Sequence, residues 1–291
     1  MSPVLLVLAA GRATRFGGSK QTTPVGPSGE WLLDYALFDA RRAGFGRAVL
    51  VVRPGSEEAS FRSRLPTGLD VSIVPQLTGL AAPDVESAPR PVPWGTAHAV
   101  LAARHAVGAS PFAVVNADDF YGNVAYRLAA DGADVAADQG LATLVTMRLG
   151  ATLSPHGAVT RALCRLHGDR VVGLEETRGI ERLAGGVPSA DGVELDPEAP
   201  VSMNCWMLPS SIFGHLASRF RGFLSRPDAG SREFLLPAVV SELVASGLLA
   251  VASVTAPGPW YGLTHAADLS LVRAGLRQLT DDGVYPSPLW G

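Results

Sequence analysis

The sequence predicts an α/β fold, one sheet of parallel strands wound with helices, with a second, partly antiparallel lobe grown from the same sheet. Three observations carry this. The first half alternates short apolar runs with segments of helical periodicity, the signature of a wound parallel sheet. Those apolar runs are continuous rather than alternating, which suits strands buried on both faces. After Gly140 the alternation weakens and strand-like runs follow one another.

In order, "PVLLVLAA" is an unbroken apolar run ending at a glycine loop and reads as a central strand. "WLLDYALFDARRAG" places apolar residues at helical spacing and stops at Gly44, a C-cap. "RAVLVVRPG" is a second apolar strand, "SEEASFRSRL" a helix capped by its serine, and "DVSIVPQ" a third strand. From Leu77 to Pro93 the chain is rich in Pro, Ala and Gly and reads as a long surface loop. "GTAHAVLAARHAV" resumes the helical pattern, and "PFAVVNADDFYG" is a buried strand ending in two acids. "LATLVTMRL", "GAVTRALCRL" and "RVVGLEET" read as consecutive strands of an antiparallel part, followed by "VSMNCWMLP", two helices and the strand "LAVASVTA". There is no internal repeat and no linker before the C-terminal half, so the expectation is one domain over residues 1–291.

Composition bounds the partners. A chain of 291 residues, 47% hydrophobic and 18% charged, is a folded one. No apolar run approaches the roughly 20 residues of a membrane span, and the start lacks the basic flank of a secretory signal, so a cytoplasmic protein is expected. With net charge -3 and charges mixed along the chain, a general affinity for nucleic acid or anionic membrane is not expected. Cys164 and Cys205 give no disulfide framework and no metal-ligand spacing, and read as buried apolar fillers.

Positive charge must therefore be local. "VLAAGRATRFGGSK", residues 7 to 20, holds Arg12, Arg15 and Lys20, three glycines and no acid. A loop leaving the first strand of an α/β sheet is a preferred phosphate site, where backbone N–H groups approach the oxygens and cations neutralise them. The spacing is not the dinucleotide fingerprint, because Ala13 stands where its second glycine would be, and no Gly-Lys-Ser or Gly-Lys-Thr marks a P-loop.

"LAAGRATRFGGSKQTTPVGPSGE" resembles the signature of the sugar nucleotidyltransferases, or nucleotide-sugar pyrophosphorylases, usually L-A-A-G-x-G-[ST]-R with a later Lys. The resemblance continues in order through "LDYALFDARRAGF", "PWGTAHAVLAAR", "NADDFYG", "VSMNCWMLPSSIF", "EFLLPAVV", "WYGLTHAADL" and "GVYPSPLW", nearly the whole chain. It implies a Rossmann-like wound mixed sheet with helices on both faces and a smaller sugar-binding lobe with antiparallel strands. The nucleotide-binding part would cover about residues 1–120 and the sugar-phosphate part about 121–291. It also implies the reaction of a nucleoside triphosphate, UTP or dTTP favoured, with a sugar 1-phosphate to give an NDP-sugar and pyrophosphate. A cytidylyltransferase acting on a non-sugar phosphate, or a silent nucleotide-sugar-binding regulator, are the alternatives. An oligomer is compatible with all of these.

Carried onto this chain, the resemblance makes Arg15 the holder of the departing β and γ phosphates. Lys20 becomes the bridge between the α-phosphate and the incoming sugar phosphate. Ala10, Gly11 and Arg12 would line the nucleotide, with Gln76, Gly95 and Thr96 at the pyrimidine edge; a Gln amide offers both a donor and an acceptor there. Asp118 would bind Mg²⁺, with Asp119 competing for the role. The second ligand falls in the region of Thr264 or His265, with Asp268 further on; His265 itself reads as a solvated loop residue. Gly157 would allow close approach of the sugar ring, and Glu175, with Glu176 as an interchangeable neighbour, and Asn204 would bind it. His98, Trp206 and Trp260 read as packing residues.

Overall fold

The computed structural model describes residues 2–11, 20–66, 68–77, 80–82, 85–86, 92–183 and 185–290. Its first half is built on four parallel strands lying side by side in the order Phe112–Asn116, Val4–Ala9, Arg47–Val52 and Asp70–Pro75. Every residue of Val4–Ala9 is buried. Because side chains alternate across a strand, Leu5, Val7 and Ala9 join one core with Ala36, Leu37 and Ala125, while Val4, Leu6 and Leu8 join another with Val100, Leu216 and Val240. Helices therefore cover both faces. Full burial of each such Val or Leu contributes about 1.5–3 kcal/mol, so the strand ends that carry the chemistry below are rigidly held.

The second half continues the same sheet. Pro200–Leu208 pairs antiparallel with Phe112–Asn116, Trp206 opposite Val114, and Ala142–Arg148 adds on its other side. Val251–Thr255 lies parallel to Ala142–Arg148, and the helices Ile212–Leu224 and Leu236–Ala245 carry the chain back across the sheet to reach it. The hairpin of Val159–His167 and Arg170–Arg182 folds against Pro200–Leu208 at Ser202 and Ala162. A third core gathers under the C-terminal helix Asp268–Asp281, where Tyr285 meets Tyr35 at 5.1 Å between ring centres.

Local expectations differ in four places. The helix Ser56–Arg62 has Gly55, with φ +109°, at its cap position and no capping side chain, so Ser56 is not the cap. The helical run after Gly95 divides into Thr96–Ala102 and Arg104–Val107. Cys164 is only half-buried, unlike Cys205, although burial pushes both thiols up to about 12. The helix Leu32–Arg42 has Ala43 at its C-cap, and Gly44, with φ +91°, is the residue after it, not the C-cap itself. Among the described residues no helix is long and apolar enough to cross a membrane.

Candidate active site

Val4–Ala9 and Phe112–Asn116 run in register, Leu8 opposite Asn116, so the segments that follow them emerge together at the carboxyl edge of the sheet. Ala117 N donates to Leu8 O at 3.0 Å. Ala10 is buried and Gly11 exposed. The far end of the opening loop is tied back by Gln21, itself buried, whose Nε2 donates to Gly11 O at 3.1 Å. Lys20, beside it, places its Nζ 3.9 Å from Asp118 Oδ2, the two side chains being 15% and 30% exposed. Arg12 and Arg15 lie outside the described residues.

The two adjacent acids have different surroundings. Asp119 is turned inward: its Oδ2 accepts from Asn116 Nδ2 at 2.8 Å and lies 3.2 Å from the Tyr121 hydroxyl, which also reaches Met203 O at 2.6 Å. Burial, then the charge of Asp118, push its carboxyl up to about 7 against the pull of Asn116, Arg161 and Tyr121. Asp118 keeps its carboxylate toward Lys20; burial raises it and Lys20 opposes the rise. Asp118, paired with Lys20, is thus the more exposed of the two acids.

Of the late candidates, only Thr264 reaches the cleft that Asp118 lines. Asp268 is spent: its Oδ2 accepts from the backbone N–H of Thr264 at 3.0 Å and of His265 at 2.7 Å, and its Oδ1 from Ser154 Oγ at 2.6 Å. His265 is not a solvated loop residue, because its Nε2 is buried without a partner. Its ring lies against Gly157, whose φ is +149° and where a Cβ would come 3.1 Å from Cε1. The group that Gly157 admits here is therefore the imidazole. Magnesium prefers oxygen ligands and needs few carboxylates where phosphates supply the rest. Asp118 and the Thr264 hydroxyl fit that demand; His265 does not. Among the described residues no three His, Cys, Asp or Glu side chains cluster as a protein-only cage.

On the side expected to meet the base, Gln76 is 2% exposed and its Nε2 contacts both Gly95 O, at 3.1 Å, and His98 Nδ1, at 3.0 Å. The carbonyl can only accept, so the amide nitrogen faces it and His98 Nδ1 must accept too. His98 is then the Nε2–H tautomer, and burial pushes its pKa down to about 4, keeping it neutral. Both amide hydrogens of Gln76 are occupied, so the donor-plus-acceptor role expected for it reduces to the oxygen. Gly95, with φ +107°, passes so close to the backbone of Phe234 that a Cβ would lie 2.6 Å from Phe234 O. Thr96 Oγ1 accepts from Leu236 N at 2.9 Å, fixing this loop to the helix Leu236–Ala245.

The cleft itself, about 250 Å³, is lined by Asn116, Asp118, Arg161, Glu176, Asn204 and Trp260 among others. Glu176, not Glu175, is the glutamate on this wall. Successive strand residues face opposite ways, and Glu176 pairs with Ala162, which shares the cleft. Asn204 sits at φ +60° in a bulge of Pro200–Leu208, where its amide lies between Asn116 Oδ1 and Trp206 Nε1, each at 3.4 Å. Trp206 is core, while Trp260, 9% exposed, forms part of the wall. A larger groove of about 520 Å³ between Ile212–Leu224 and Leu236–Ala245 holds none of these residues.

Residues 5–140 match the model of the MobA-like NTP transferase domain. The matched stretch is a little under half of the chain. It includes Lys20, Gln76, Gly95, Thr96 and Asp118, whereas Gly157, Glu176 and Asn204 lie beyond the match. No curated protein matches the sequence. Solved structures share the fold over nearly all of the chain. One is a protein from Bacillus anthracis, provisionally assigned as a glucose-1-phosphate thymidylyltransferase and solved with a sucrose: TM-score 0.65, 12% identity, 95% of this chain and 96% of that one. Another is a UDP-glucose pyrophosphorylase complexed with UDP-glucose: TM-score 0.64, 15% identity, covering 96% and 99%. A third is the inositol-1-phosphate CTP transferase from T. maritima: TM-score 0.63, 16% identity, covering 95% and 97%.

Beyond the matched domain, the residue that sequence reasoning passed over is Arg161. It is 7% exposed, with Cζ 5.1 Å from the centre of the Trp260 ring. Burial pulls its pKa down to about 10, opposed by Asp119 and Asp268, so it stays a cation. In "GAVTRALCRL" it looks like any strand arginine; its proximity to Gly157 was the available signal.

Proposed function

We propose that this protein transfers a nucleotidyl group from a nucleoside triphosphate to a phosphomonoester, releasing pyrophosphate. A sugar 1-phosphate is the favoured acceptor and UTP or dTTP the favoured donor. The observation that carries the proposal is the pairing of Lys20 and Asp118, 3.9 Å apart where two parallel strands end, the place where open α/β sheets bind ligands. The acceptor phosphate oxygen attacks the α-phosphorus, a new P–O bond forms, and the bond to the β-phosphate oxygen breaks. Such transfer rests on positioning and neutralisation of charge rather than on proton chemistry. Lys20 would neutralise the α-phosphate and the approaching acceptor, and Arg15 the leaving pyrophosphate. Magnesium, which Asp118 and phosphate oxygens would hold, would offset the charge that these two cations leave.

The likeness to an inositol-1-phosphate CTP transferase keeps cytidine transfer to a polyol phosphate as a second reading. Gln76, with only an oxygen left to offer, accepts as readily from the cytosine amino group as from the uracil imide. A screen of five triphosphates against sugar and polyol phosphates, reading pyrophosphate, separates the two. Release with no pair would refute both.

A further inference from the structure

Arg161 stands at the wall between the main cleft and a smaller pocket of about 140 Å³ lined by Ser154, Trp260, Thr264 and Asp268. Its guanidinium is immobilised by neutral acceptors. Nε donates to Thr152 Oγ1 at 3.1 Å, Nη1 to Thr160 O at 2.8 Å, and Nη2 to Thr152 O. Three of its five N–H groups are used, leaving one on each terminal nitrogen. The acids closest in charge are engaged elsewhere: Asp119 Oδ2 by Asn116, and both oxygens of Asp268 by Ser154, Thr264 and His265. Among the described residues Arg161 has no carboxylate within 4.0 Å. A buried cation held by neutral acceptors alone, with no carboxylate in contact, is unfavourable unless an anion arrives. It is also the one cation among the described residues that line this cleft.

We propose that Arg161 binds the phosphate of the acceptor, so that the second substrate is a phosphate monoester rather than a neutral alcohol. This rests on the nucleotidyl-transfer reading for the identity of the substrate, but not for the existence of the anion site. Two free N–H groups on a fixed guanidinium suit two oxygens of one phosphate. Trp260 beneath it and Thr152 beside it set the plane of the fork. The acceptor phosphate would then be held from the second lobe by Arg161 and from the first by Lys20.

The test is calorimetric binding of inorganic phosphate and of glucose 1-phosphate to the full chain, as wild type, Arg161→Gln and Arg161→Lys. Thermal melting of each variant runs alongside. Losing charge-assisted hydrogen bonds to a phosphate corresponds to roughly 10- to 100-fold in affinity. Arg161→Gln should weaken inorganic phosphate by at least tenfold and Arg161→Lys by less, while magnesium-triphosphate affinity stays within threefold. Where Arg161→Gln does not fold, Arg161→Lys decides, since it keeps charge but loses the fork and should still weaken phosphate several-fold. No phosphate binding by the wild type, or unchanged binding in these variants, overturns the proposal. Arg161-dependent phosphate binding without triphosphate binding would sink the nucleotidyl-transfer reading and leave the anion site standing.

Discussion

Asp39 offers a test of whether the packing described above is right, through the dependence of stability on pH. It is 1% exposed; its Oδ2 accepts the Tyr285 hydroxyl at 2.6 Å, and its Oδ1 is buried without a partner. Burial pushes its carboxyl up to about 7, against the pull of Tyr285, Arg42 and Arg127. The folded chain therefore holds a proton that the unfolded chain, titrating near 3.9, has released. The favourable contribution is complete below pH 4, falls as pH rises toward 7, and is gone above it. At about 1.4 kcal/mol per pH unit over three units, the ceiling is about 4 kcal/mol, and relaxation around the charge will take part of it. Asp39→Asn keeps an acceptor for Tyr285 and cannot ionise. Urea unfolding from pH 4.5 to 8.5 should show the variant gaining on wild type by about 1–3 kcal/mol across that range. A difference that is constant with pH would refute the reasoning, because Asp39 would then not be a buried, protonated carboxyl.

Other predictions follow from the site. Lys20→Ala should lower nucleotidyl transfer by about 100- to 1,000-fold with folding intact, the usual loss when a donor to developing phosphate charge is removed; steady-state pyrophosphate release measures it. Glu176→Gln should raise KM for the acceptor several-fold while Glu175→Gln leaves it unchanged, and equal effects would deny the strand register. Gly95→Ala forces a Cβ to 2.6 Å from Phe234 O at φ +107°, so a loss of about 1–3 kcal/mol in urea unfolding is expected. His98, pushed down to about 4, is held neutral in the folded state. Wild type should therefore lose stability as pH falls from about 6.5 toward 4, a loss that His98→Gln removes.

The parallel half of the sheet was legible because strands buried on both faces leave continuous apolar runs, as in Val4–Ala9 and Phe112–Asn116. The meeting of Lys20 and Asp118 followed from those two strands ending at one edge. Choices between neighbours were not legible. Asp118 and Asp119 differ only by which side chain Asn116 and Tyr121 capture, and Glu175 and Glu176 only by a register that pairing with Val159–His167 sets. Gln76 looked available because nothing in the chain shows that Gly95 and His98 consume its hydrogens. Arg161 was passed over because a charged residue on a strand ordinarily faces water, and only the packing of Thr152 and Trp260 encloses it.

The central claim is that a triphosphate lies between Lys20 and the carboxylate of Asp118. A crystal structure of the full chain with magnesium and a non-hydrolysable triphosphate tests it most directly. The account expects a phosphate oxygen within hydrogen-bond distance of Lys20 Nζ and a metal ion on Asp118. A triphosphate bound with its phosphates away from both would contradict it.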